Sequence, residues 1–104
     1  MNNYEHTFIA KGDLPESQNK KLVSKYESII NKNLGKIFKT EEWGLRTLAH
    51  KIKNNKKGYY FHIKFEGVGK TIEELERAEN IDEALIRYLT VKVKKHDLET
   101  NYFD

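Results

Sequence analysis

The sequence predicts an α+β fold of order βαββαβ, a four-stranded antiparallel sheet with two helices on one face. Three observations carry this. "NYEHTFIA" near the start and "YYFHIKF" in the middle both alternate with a period of two, the mark of a strand with one buried face. Two segments with helical spacing, "LVSKYESII" and "TIEELERAENI", each follow a strand-like run. A β-rich run, "ALIRYLTVKV", closes the order.

The first strand places Tyr4, His6, Phe8 and Ala10 on one side and Glu5, Thr7 and Ile9 on the other. "GDLPE" then offers Asp13 as a helix cap, Glu16 three residues on, and Pro15 in the first turn. Leu22, Tyr26, Ile29 and Ile30 share a helical face that Leu34 extends, and Gly35 is the expected stop. "KIFKTEEW" begins the second strand. Gly44 reads as a bulge, and "LRTLAHKIK" continues beyond it with Leu48, His50 and Ile52 in one row. "NNKKG" has turn chemistry. In the third strand Tyr59, Phe61, Ile63 and Phe65 form the apolar row, and Tyr60, His62 and Lys64 the polar one. Pairing Ile52 with Tyr59 and His50 with Phe61 would put both apolar rows on the same side. Thr71 is the expected cap of the second helix, with Glu74 at the box position and Ile72 and Leu75 inward. Two helices on one face of such a sheet is the ferredoxin-like solution, with the second and last strands at the edges. The reading divides the chain into a domain over residues 1–95 and a C-terminal tail over 96–104, in which Leu98, Tyr102 and Phe103 could dock.

With 104 residues the chain has the length of one domain and one core. The net charge of +3 is modest, but its distribution is uneven. Between Glu42 and Glu66 there is no carboxylate, while Arg46, Lys51, Lys53, Lys56, Lys57 and Lys64 all fall there. Cations recur in Arg87, Lys92, Lys94 and Lys95. Such one-signed stretches favour nucleic acid, because Lys and Arg neutralise phosphates and release counterions. The absence of cysteine excludes disulfides, thiolate metal sites and cysteine catalysis, and fits the cytosol. No apolar run is long enough to cross a membrane, and the N-terminus lacks the pattern of a signal peptide.

Other motifs are weaker. His6 reads as a core or sheet histidine. The four histidines form no HxH or HExxH arrangement, so neither a metal nor a cofactor is expected. "EGVGK" lacks the pattern of a phosphate loop, and "AKGDLP" has no Arg to make the chain an acylphosphatase-like hydrolase. "ELERAE" reads as a solvated acidic face. "KKGYYFHIKF" partly resembles the first ribonucleoprotein motif, matching at Lys57, Gly58, Tyr59 and Phe61. A single-stranded RNA binder of that type needs Tyr59 and Phe61 exposed, yet they share the apolar row. Trp43, the only tryptophan, is either a core residue or an anchor for a protein partner.

"EEWGLRTLAHKI" followed by "KKGYYFHIKFE" resembles the signature of the bacterial small-subunit ribosomal protein six family. "YEHTFI" and "LIRYLTVKV" fall where that family has its start and its final strand, so the likeness spans roughly residues 1–94. His50 stands where the family usually has Tyr, and Lys51 where it usually has Pro.

The resemblance implies a ferredoxin-like fold, no catalysis and a cytoplasmic place in the ribosome. It implies binding to the central domain of small-subunit ribosomal RNA, as a heterodimer with small-subunit ribosomal protein eighteen, by a chain that is a monomer when isolated. Arg46 of "GLR" and Arg87 of "IR" carry over as RNA contacts. Lys51, Lys53, Lys56, Lys57, Lys92 and Lys94 join them on charge. Trp43, the edge of the second strand, Tyr102 and Phe103 are the candidates for the protein partner.

Overall fold

The computed structural model describes residues 1–95. Its elements are β1 (Asn2–Lys11), α1 (Glu16–Lys32), β2 (Lys36–Ile52), β3 (Asn55–Gly67), α2 (Gly69–Asn80) and β4 (Leu85–Val93). The four strands form one antiparallel sheet in the order β2-β3-β1-β4. Both helices pack on one face, as the alternation of β1 and β3 requires. The main core joins Phe8 and Ala10 of β1, Phe61, Ile63 and Phe65 of β3, and Leu22, Tyr26, Ile30 and Leu75 of the helices. Phe8 stacks on Phe61 with centroids 5.0 Å apart and meets Tyr26 edge-on at 5.2 Å.

Several local expectations are corrected. Pro15, not Asp13, is the N-cap of α1, and no side chain caps it. Leu34 does not extend the buried face. It is 62% exposed and takes the left-handed conformation (φ 68°) in the exit turn, where Gly was expected. Gly35 is required by space instead, since a Cβ there would collide with Ile30 Cγ2. In α2 the N-cap is Val68. Thr71 sits a turn inside, where its Oγ1 accepts from the Val68 N–H (3.1 Å) and donates to the Asn33 carbonyl (2.5 Å). The acidic face of α2 is not wholly solvated: Glu79 is buried beside His6.

The largest correction concerns the β2–β3 hairpin. Its turn is the pair Lys53–Asn54, both with positive φ (49° and 65°), so Ile52 meets Asn55. A two-residue turn with both central residues in that region matches the right-handed twist of the strands. Tyr59 therefore pairs with Leu45, and Phe61 with Glu42. Gly44 (φ 84°) is a bulge, as expected, and the register slips there and again between Thr47 and Ile52. As a result Leu48 and Ile52 do not join the main core. They pack with Ile9, Ile86 and Tyr60 in a second, smaller cluster on the face opposite the helices. A Cβ on Gly58 would collide with Ile9 Cγ2, so this cluster requires glycine there.

Candidate nucleic-acid interface

Three cross-strand neighbours define the end of the sheet at which the hairpin lies: Arg46 pairs with Gly58, and Gly58 with Lys11. Lys51, Lys53, Lys56 and Lys57 project from the hairpin beyond them, all exposed, and no ion pair engages any of them among the described residues. Arg87 is exposed on β4, in register with Ile9 of the second cluster. Arg46 is half-buried, and its Nε–H donates to the Trp43 carbonyl (3.1 Å). The structure thus places Arg46, Lys51, Lys53, Lys56 and Lys57 on one hairpin, with Arg87 two strands from β3 at the level of Tyr60. Sequence reasoning overlooked Lys11, an isolated cation in β1; only the strand register places it here.

Lys92 and Lys94 do not belong to this group. At about 3.3 Å per residue, Lys94 lies about 23 Å along the chain from Arg87. It sits beside the N-terminus, where its carbonyl accepts from Asn3 Nδ2 (3.1 Å). Both lysines are exposed.

The sheet face away from the helices is not the solvated row that Tyr60, His62 and Lys64 promised. Lys64 is fully buried, with Nζ 3.5 Å from Glu41 Oε2. His62 lies 2.8 Å from Glu5 Oε1 through Nε2 and 2.7 Å from Thr7 Oγ1 through Nδ1. Trp43 stacks on His62 (4.8 Å, 12°), and its Nε1–H donates to Glu41 Oε1 (3.2 Å). Burial lowers the His62 pKa from its ordinary value, and the Glu5 carboxylate only partly offsets this. Trp43 is thus half-buried in a polar network that includes two carboxylates, and does not join the apolar core. The outward row of β4 adds exposed Leu89 and Val91. Tyr102 and Phe103 lie outside the described residues.

Tyr59 packs against the main core and Phe61 is 3% exposed, so these rings form no platform for stacked bases. No group of three His, Cys, Asp or Glu side chains suited to a metal ion occurs among the described residues. No helix described is long and apolar enough to cross a membrane.

Fold and site together define a class: a small ferredoxin-like α+β protein whose β2–β3 hairpin carries a one-signed cationic surface. Comparison with known proteins gives the family. Residues 3–92 match the family model described as ribosomal protein S6. The chain is 55% identical over 103 residues to small ribosomal subunit protein bS6 of Pelagibacter ubique, covering 99% of this chain and 85% of that one. It is 44% identical to bS6 of Zymomonas mobilis, over 90% of this chain and 76% of the relative. The crystal structure of 30S ribosomal protein S6 from Thermotoga maritima superposes with a TM-score of 0.85 at 33% identity, covering 88% of this chain and 87% of that one. The chain belongs to the ribosomal protein S6 family, and is a structural constituent of the small ribosomal subunit.

Proposed function

We propose that the protein binds the central domain of small-subunit ribosomal RNA during subunit assembly, as a heterodimer with small-subunit ribosomal protein eighteen. The observation that carries the RNA part is the hairpin. Lys51, Lys53, Lys56 and Lys57 are exposed, bear one sign, and have no ion-pair partner among the described residues. Such a surface supplies phosphate affinity without reading bases. Arg46 and Arg87 add groups that can stack or bind a phosphate with two parallel hydrogen bonds. Specificity then comes from the folded shape of the RNA. Lys92 and Lys94 act as a separate, weaker contact at the other end of β4.

The isolated chain is a monomer in this reading. The protein partner covers Trp43 and the edge of β2, with Tyr102 and Phe103 of the tail assisting. Relatives named as small ribosomal subunit protein support the assignment to that particle and its cytoplasmic setting. The test is a titration against a central-domain ribosomal RNA fragment, with and without the purified partner. Tight binding only with the partner is expected. Affinity for short unstructured RNA alone would contradict the reading.

A further inference from the structure

An open cleft of about 530 Å³ lies between the hairpin turn and the α2–β4 loop. Its volume falls within the roughly 300–1,000 Å³ of ligand pockets. Lys53 and Asn55 form the hairpin wall, Asn80, Ile81 and Glu83 the loop wall, and Lys11 the end of β1 between them. The two amides are half engaged. Asn55 Nδ2 donates to the Ile52 and Lys53 carbonyls (3.3 and 3.0 Å), which leaves its Oδ1 to accept. Asn80 Oδ1 accepts from the Tyr88 hydroxyl, which leaves its Nδ2 to donate. Ile81 is 82% exposed, an apolar wall with nothing against it.

Charge narrows the ligand. Lys11 and Lys53 face two carboxylates, Asp82 and Glu83. Asp82 is engaged by Lys25 Nζ (3.1 Å) and by the Tyr26 hydroxyl. Glu83 has no ion pair among the described residues. A cleft so balanced does not select a bare phosphate. It offers one apolar wall, one free amide donor, one free amide acceptor and one carboxylate acceptor. That set matches the flat face and mixed polar edge of a nucleobase. Lys56 and Lys57, close by on the hairpin, can hold the phosphates on either side.

We propose that this cleft receives one unstacked nucleobase of the bound RNA, with Ile81 against its face and Asn55, Asn80 and Glu83 along its edge. The proposal rests on the RNA-binding reading above. A carboxylate acceptor favours bases with an exocyclic amine over uracil, whose one edge donor, N3–H, lies between two carbonyl oxygens that repel a carboxylate.

The test is an NMR titration of the full chain with AMP, CMP, GMP and UMP, and with inorganic phosphate as control. The signals followed are the Ile81 and Ile86 methyls and the Asn55 and Asn80 side-chain amides. Saturable shifts at these groups in the millimolar range are expected, weakest for UMP and absent with phosphate. Ile81→Ser, a change at an exposed position, is expected to weaken nucleotide binding by about fivefold by removing the apolar wall. No saturable shift, or the same shifts with phosphate alone, would overturn the proposal, and an equal response to UMP would overturn the role of Glu83. If the ribosomal RNA fragment bound Ile81→Ser as tightly as wild type, the cleft would be excluded and the RNA-binding reading would stand. If wild type failed to bind the fragment, the reading itself would fall.

Discussion

His6 Nε2 of β1 lies 2.6 Å from Glu79 Oε2 of α2, with both side chains fully buried. His6 Nδ1 is 2.7 Å from Thr90 Oγ1 of β4, so one imidazole ties together two strands and a helix. Burial raises the Glu79 pKa against the pull of His6, and its Oε1 has no hydrogen-bond partner. A buried pair of this kind contributes little against an apolar replacement, but is costly to break on one side. Glu79→Ala is therefore expected to destabilise the fold by about 3–5 kcal/mol. The double variant His6→Leu, Glu79→Met is expected to lose much less. Urea unfolding of the singles and the double checks this; a double variant as unstable as the worse single would contradict it.

The second cluster gives a sharper steric case. A methyl group at Gly58 would collide with Ile9 Cγ2. Gly58→Ala is expected to cost about 1–3 kcal/mol by overpacking. Hydrogen exchange should report the loss first in the outer half of the hairpin, with the main core less affected.

His62 by itself should make stability fall on mild acidification, against the opposite contribution of Glu79. The folded His62 holds a proton less readily than the unfolded chain, where histidine titrates near 6.5. As pH drops below that value the unfolded chain gains the proton first. Stability is then lost from about pH 6.5 down through the folded pKa. His62→Gln is expected to flatten the change in urea midpoint between about pH 7.5 and 5.5, the range that brackets the ordinary histidine pKa. An unchanged pH profile would remove His62 as its source.

The hairpin end of the sheet and the far end of β4 should behave differently. Arg46→Ala with Arg87→Ala is expected to weaken ribosomal RNA binding, in the presence of the partner, more than Lys92→Ala with Lys94→Ala. Equal losses would mean that RNA runs the length of the strand.

Element order, sheet order and the main core were legible because β1 and β3 alternate cleanly: every residue of the Phe61 row is where a period of two puts it. The hairpin register was not. "KIKNNKKG" offers several adjacent turn residues, and which pair adopts positive φ decides the pairing of the whole strand. The buried network around His62 and Lys64 was hidden for a related reason. Both read as solvated until the register sets Glu5 and Glu41 beside them. The carboxylates were visible in the sequence, but not their distance. The charge asymmetry of the candidate site was plain, whereas its division between the hairpin end of the sheet and the far end of β4, and the place of Lys11, required the strand pairing.

The most direct test is a salt series on RNA affinity, measured with the partner present, comparing wild type with a variant in which Lys51, Lys53, Lys56 and Lys57 are all Gln. If the hairpin lysines neutralise phosphates, the slope of log affinity against log salt becomes shallower by about 0.7–0.9 for each phosphate left without its lysine. An unchanged slope and affinity would place the RNA elsewhere on the protein.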